Sequence, residues 1–323
     1  MKAIVYRKNG PPDVLTCEEI EKPVPAEQEV LIKVHAAAVN PLDVHMLKGG
    51  PLFFRLLFDR GKLKRPGVDC AGVVEAVGPA VTEFKAGDAV FGNCRGSFAE
   101  YAVAPDSKIA AKPEGVSFED AAACPVAALT ALQGLRKHGK LQPGQNVLIN
   151  GASGGVGTFA VQLAKIFGAH VTAVCSAGNA DLVRSLGADR VLDYAKEDFT
   201  QGTARYDLIL DMAGSHSFSA CQRILTTRGI LVGVGVLAGH KSLFAVFAGL
   251  IATLIQSRFS SQKFVAFIAK GNREDLAFLG ELLASGKLKP VIDKKYTLAE
   301  VPEAMRYQGT WRVRGKLVVN LDA

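Results

Sequence analysis

Apolar positions in the first third of the chain fall in short runs bounded by Gly and Pro, as in Glu29-Val30-Leu31-Ile32-Lys33-Val34 and Gly72-Val73-Val74-Glu75-Ala76-Val77. Runs of this length between turn residues read as strands, so residues 1–125 are expected to be mostly β. From Cys124 onward the rhythm changes to helix and strand in alternation. A helix over 125–138 precedes a strand at 146–150, and a helix over 156–167 precedes a strand at 170–175. A helix at 180–186, strands at 190–193 and 206–211, a helix at 218–226 and a strand at 230–234 continue the pattern. Such alternation predicts a doubly wound α/β domain over 126–270, its parallel sheet covered on both faces. The helix at 274–284, strand at 291–296, helix at 298–307 and closing strand at 316–320 break the alternation, and residues 271–323 are expected to return to the first domain.

A chain of 323 residues is long enough for two domains, and 49% apolar with 21% charged residues leaves no room for a large disordered region. Cys17, Cys70, Cys94, Cys124, Cys175 and Cys221 show neither a C-x-x-C pair nor a disulfide framework and read as free thiols of a reducing compartment. Met1-Lys2-Ala3-Ile4-Val5 runs directly into a strand without the apolar core of a signal peptide, so the expected location is the cytoplasm. The net charge of +7 is spread along the chain, which suits an anionic dinucleotide. No run of Lys or Arg interleaved with aromatics supports a nucleic-acid partner.

The stretch Asn150-Gly151-Ala152-Ser153-Gly154-Gly155-Val156-Gly157 follows an expected strand and opens an expected helix. Glycines there allow a tight turn and close approach of a pyrophosphate to the helix N-terminus, with Ser153, Gly154, Gly155, Val156 and Gly157 as cofactor-binding candidates. The rival reading is a turn without ligand. At the end of the next strand an NAD enzyme carries an acid for the ribose hydroxyls, and here stand Cys175 and Ser176. No carboxylate opposes a 2′-phosphate at that place, so NADPH is expected. Ser176 is the candidate donor to the phosphate and Tyr194 the candidate cover for the adenosine, against an N-cap serine and a half-buried tyrosine.

The glycine loop, followed by Gln162-Leu163-Ala164-Lys165 and Ser185-Leu186-Gly187-Ala188-Asp189, resembles the medium-chain dehydrogenase/reductase superfamily. Gly67-Val68-Asp69-Cys70-Ala71-Gly72, Ala86-Gly87-Asp88-Ala89-Val90-Phe91-Gly92 and Gly315-Lys316-Leu317-Val318-Val319 extend the resemblance over nearly the whole chain. It implies a Rossmann domain inserted into a GroES-like β-barrel catalytic domain. Alcohol dehydrogenases of that superfamily carry zinc-ligand cysteine and histidine where this chain has Asn40-Pro41-Leu42-Asp43 and Asp69-Cys70, and the four-cysteine structural zinc cluster is missing. His35 and His45 alone do not make a metal site. The Asn-Pro-x-Asp segment is similar to the zinc-free quinone and enone reductases. That likeness implies Asn40 beside the nicotinamide, Thr130 on the cofactor, and the strand ends at Gly214 and Gly235 near its nicotinamide half. Relatives often carry a basic residue at the place of Gly178; Arg184 or a loop lysine is the candidate substitute.

Without a metal, an unactivated ketone is hard to reduce, whereas a quinone or activated enone spreads the developing charge into its conjugated oxygen. The expected function is therefore NADPH-dependent hydride transfer to a hydrophobic quinone or enone, with Asn40 orienting the acceptor. Asp43 is either a proton donor or a helix cap. A zinc-free alcohol or aldehyde oxidoreductase, and a non-enzymatic NADPH-binding or RNA-binding protein, remain as alternatives. The apolar segment 243–256 would extend only about 20 Å as a helix, too short to cross a bilayer. Core or dimer-interface burial, a lid over the substrate, and membrane-surface attachment are its open readings, and the expected assembly is a homodimer.

Overall fold

A computed structural model describes residues 1–49, 63–234 and 260–322. Among the described residues, fifteen strands run in chain order: β1 (Lys2–Val5), β2 (Thr16–Glu19), β3 (Glu29–Val39), β4 (Asp69–Val77), β5 (Ala89–Asn93), β6 (Tyr101–Pro105), β7 (Ile109–Ala111), β8 (Asn146–Asn150), β9 (His170–Cys175), β10 (Arg190–Asp193), β11 (Tyr206–Asp211), β12 (Leu225–Val234), β13 (Lys263–Phe267), β14 (Ile292–Thr297) and β15 (Lys316–Asn320). The chain divides into one unit of Met1–Leu129 with Gly271–Ala323 and a second of Thr130–Lys270.

The second unit is a six-stranded sheet in the order β10-β9-β8-β11-β12-β13. Every neighbouring pair in it is parallel. The central strands Val147-Leu148-Ile149-Asn150 and Leu208-Ile209-Leu210-Asp211 are buried throughout, as required of a sheet covered on both faces. The chain leaves β8 toward β9 and β10, then returns to β11 on the other side of β8. That reversal is a topological switch point, where open parallel sheets bind ligands beyond the carboxyl ends of their strands.

Three elements differ from those expected. The helix that starts at Phe218 ends at Gln222, because Leu225 already pairs with Tyr206 and begins β12 five residues before the expected strand. Strand β13 extends the sheet by one strand where none was expected; its side chains are half-buried and its sequence does not alternate. The helix expected over 125–138 is α-helical over Pro125–Leu132 and widens to π spacing over Gln133–His138.

In the first unit β14-β15-β3-β4-β5-β7 form the main path of a seven-stranded sheet, with β6 also on β3. All pairs are antiparallel except β14 with β15. The last strand lies against β3, Leu317 opposite Val39, so residues from opposite ends of the chain share one core. Ile32, Val39, Ile109 and Leu317 are almost wholly buried there, and each such side chain contributes about 1.5–3 kcal/mol on leaving water. A consequence for chemistry is that Lys316 falls next to Asn40. Among the described residues, no helix is long and apolar enough to cross a membrane. Gly235 and the segment 243–256 lie outside the described residues.

Candidate active site

The glycine loop joins β8 to the helix Gly155–Ile166. Gly151 has φ +87°, a conformation that glycine adopts without strain. A Cβ on Gly157 would lie 2.2 Å from the Gly151 carbonyl oxygen and 2.6 Å from the Ala152 carbonyl carbon, so only glycine lets the helix sit this close to the loop. Gly154 differs: a Cβ there would meet only the Gly151 oxygen at 3.6 Å, an ordinary contact. Gly154 is the N-cap and no side chain caps the helix. The N–H groups of Gly155, Val156 and Gly157 therefore have no partner within the helix and suit a pyrophosphate at its N-terminus. Ser153 accepts a hydrogen bond on Oγ from Asn179 Nδ2 at 2.9 Å, tying this loop to the turn after β9.

Ser176 occupies the N-cap position of the short 3₁₀ turn Ala177–Asn179, but its hydroxyl makes no capping bond. Tyr194 is 64% exposed, which corrects the half-buried alternative and leaves its ring open. Its N–H donates to the Cys175 carbonyl at 3.2 Å, so the tyrosine stands at the same strand ends as Ser176. Arg184 pairs with Asp181 at 2.9 Å on the surface. At the switch point, Asp211 Oδ1 accepts from Asn150 Nδ2, Ala213 N and Gly214 N at 2.9, 3.0 and 2.9 Å. These bonds shape the turn at Gly214, whose φ is +61°. Burial pushes the Asp211 carboxyl above its ordinary value, and the three donors oppose the shift. Thr130 is buried one turn into the helix Pro125–Leu132.

Asn40 and Asp43 meet in the first unit, in a buried polar cluster whose centre sequence reasoning missed. Asn40 Oδ1 accepts from Lys316 Nζ at 2.6 Å, and Asn40 Nδ2 donates to Asp69 Oδ2 at 2.9 Å and the Ala38 carbonyl at 3.3 Å. Asp69 Oδ1 also accepts from Asn93 Nδ2 at 3.0 Å and from Val126 N at 3.1 Å, and Lys316 Nζ lies 3.7 Å from Asp69 Oδ2. Asn40 is only 2% exposed, so its amide is committed at both ends to groups of its own unit. Asp43 Oδ2 accepts from Asn40 N at 2.8 Å, the capping arrangement for the helix Pro41–Leu47.

Burial dominates the protonation of this cluster. It raises Asp43 to about 7, with the bond from Asn40 N and the nearby Lys316 acting the other way. It raises Asp69 too, opposed first by Lys316. The Lys316 ammonium is lowered by burial and supported by Asp69 and Asp43. A charge inside an apolar strand must find a partner. Asp69 before Cys-Ala-Gly-Val-Val and Lys316 before Leu-Val-Val carry that signal, though not which charge meets which.

A zinc ion does not fit these residues. Both Asp69 oxygens are occupied by donors, and an ammonium already supplies the positive charge beside them. His35 is engaged by Asp322 at 2.7 Å and His45 packs on Trp311. Among the described residues, no three His, Cys, Asp or Glu side chains group as a metal would need. A dinucleotide, in contrast, suits the uncapped N-terminus of the helix Gly155–Ile166 and the uncrowded backbone at Gly154.

Residues 26–114 match the family model of the alcohol dehydrogenase GroES-like domain and residues 186–319 that of the zinc-binding dehydrogenases. The chain is 36% identical to the 2-methylene-furan-3-one reductase of Solanum lycopersicum, over 99% of this chain and 79% of that protein. It superimposes on the quinone oxidoreductase of Coxiella burnetii with a TM-score of 0.86 and 30% identity, over 99% of each chain. A mycobacterial protein solved in complex with NADPH aligns with a TM-score of 0.82 and 27% identity, over 99% of this chain and 100% of that one. With a GroES-like domain, a parallel doubly wound nucleotide domain and relatives of this similarity, the chain belongs to the medium-chain dehydrogenase/reductase superfamily, in its quinone oxidoreductase-like branch, and is an NAD(P)H-dependent oxidoreductase.

Proposed function

We propose that this enzyme uses NADPH to reduce a quinone or the activated double bond of an enone, without a metal. The observation that carries the reading is the saturated Asp69, held by Asn40, Asn93, Val126 N and Lys316 and offering no free oxygen to a cation. With no Lewis acid to polarise a simple carbonyl, the acceptor must delocalise its own developing charge, as quinones and enones do. The relatives named for a quinone and for an enone act on acceptors of this kind.

When bound, the nicotinamide supplies the hydride; the protein supplies binding, orientation and exclusion of water. Gly155, Val156 and Gly157 N–H groups hold the pyrophosphate, Gly154 leaves room for it, and Ser153 and Asn179 fix the loop. Ser176, with its hydroxyl uncommitted to a cap, donates to the 2′-phosphate, and the exposed Tyr194 covers the adenosine. Thr130 and the turn at Gly214 flank the nicotinamide half. Asn40 acts by positioning, since its amide is already committed, and Asp43 holds the start of its helix.

The same reading includes a homodimer and a reducing compartment such as the cytoplasm. Among the described residues, strand β13 stands at an edge of the sheet with Ile268, 69% exposed, directly after it, and the six cysteines are all free thiols. The test is isotopic: NADPH deuterated at the transferable position is turned over with an enone, and the product is examined by mass spectrometry and NMR. Deuterium on the carbon β to the carbonyl supports the proposal, and deuterium on the carbonyl carbon refutes it.

A further inference from the structure

We propose that Lys316 is a positioning residue of the reductase site, a built-in cation that fixes the Asn40 amide and, through Asp69, the start of the helix carrying Thr130. The inference rests on the metal-free reading above. Lys316 is 3% exposed and Asp69 wholly buried, and the pair comes from positions 247 residues apart in sequence, joined because β15 lies against β3.

Two geometric facts carry it. First, Lys316 Nζ donates to Asn40 Oδ1 while Asn40 Nδ2 donates to Asp69 Oδ2, so the amide has one allowed orientation. Turning it over would face its N–H groups to the ammonium and its oxygen to the carboxylate. Second, Asp69 also accepts from Val126 N, in the first turn of the helix Pro125–Leu132, where a carboxylate is favoured by the helix dipole. Thr130 lies four residues further along that helix. Lys316 lets Asp69 remain a buried carboxylate and so keep that bond; no part of the arrangement needs Lys316 to touch a substrate.

A structural ion pair and a positioning one separate in a double variant. Lys316→Met alone strands Asp69 as an unpaired buried charge, so both Tm and kcat fall. Lys316→Met with Asp69→Asn removes both charges, and Tm should recover. Under the proposal kcat with 9,10-phenanthrenequinone stays at least about tenfold low and Kd for NADPH stays raised, because the amide and the helix start are no longer fixed. Recovery of kcat and Kd together with Tm would reduce the pair to a structural one and overturn the proposal. Should the wild type reduce no quinone or enone, the reductase reading fails by itself, and the NADPH Kd of the double variant decides this one. If the double variant does not fold, ¹⁵N NMR of the lysine side chains in the wild type at pH 7.5 decides. A slowly exchanging Lys316 ammonium is expected, and a neutral amine would overturn the proposal.

Discussion

The α-carbon of Gly157 faces the carbonyl oxygen of Gly151 so closely that a Cβ there would come within 2.2 Å of it, whereas a Cβ on Gly154 has its nearest neighbour at 3.6 Å. The fold thus requires glycine at 157 but not at 154, where the proposed pyrophosphate would require it. Gly157→Val should displace the helix Gly155–Ile166, lowering Tm and abolishing cofactor binding together. Gly154→Ala should cost about 1 kcal/mol of stability at most, as at an N-cap, yet raise Kd for NADPH at least about tenfold. Calorimetric titration alongside thermal melts reads both. Normal NADPH affinity in Gly154→Ala would remove the phosphate from this loop.

Ser176 stands where a carboxylate would discriminate against a 2′-phosphate, and its hydroxyl makes no capping bond. Ser176→Asp should raise Kd for NADPH roughly tenfold or more through charge repulsion and leave NADH within about threefold. Equal weakening of the two cofactors would show that the strand end has been misassigned.

The buried Asp43 carboxyl, raised from 3.8 to about 7, makes stability depend on pH. Its native pKa lies above the unfolded one, so the native state binds the proton more tightly. Stability is then full below about pH 4 as far as this group is concerned and is lost as pH rises toward 7. The slope is at most about 1.4 kcal/mol per pH unit for one proton. Asp43→Asn, which keeps an acceptor for Asn40 N, should flatten the profile, with a residue left by Asp69, whose shift has the same sign. Urea unfolding from pH 4.5 to 8 measures this; an unchanged slope in Asp43→Asn would contradict it.

What was legible in the sequence follows from the range of the forces involved. Strands β8, β9, β10 and β11 and the helix after the glycine loop announce themselves through local periodicity and turn residues. Strand β13 did not, because Lys-Phe-Val-Ala-Phe is half-buried and shows no alternation. The early start of β12 at Leu225 depends on pairing with Tyr206, nineteen residues earlier, which no local pattern encodes. Asn40 and Asp43 were visible as a motif, but the partners that define their chemistry, Asp69 and Lys316, are brought in by sheet topology.

The saturated Asp69 predicts that the purified enzyme contains no stoichiometric zinc and that EDTA leaves NADPH oxidation unchanged. Elemental analysis with a chelator-treated assay checks this. One tightly held zinc per chain, with activity lost on its removal, would contradict the assignment of Lys316 as the resident cation.

Metal-free hydride transfer to a conjugated acceptor is tested by NADPH consumption, followed by absorbance, with a panel of quinones, enones, simple ketones and aldehydes. Turnover of quinones or enones, and none of the saturated carbonyls, is expected. Turnover confined to aldehydes or ketones, or cofactor binding with no turnover of any acceptor, would contradict it.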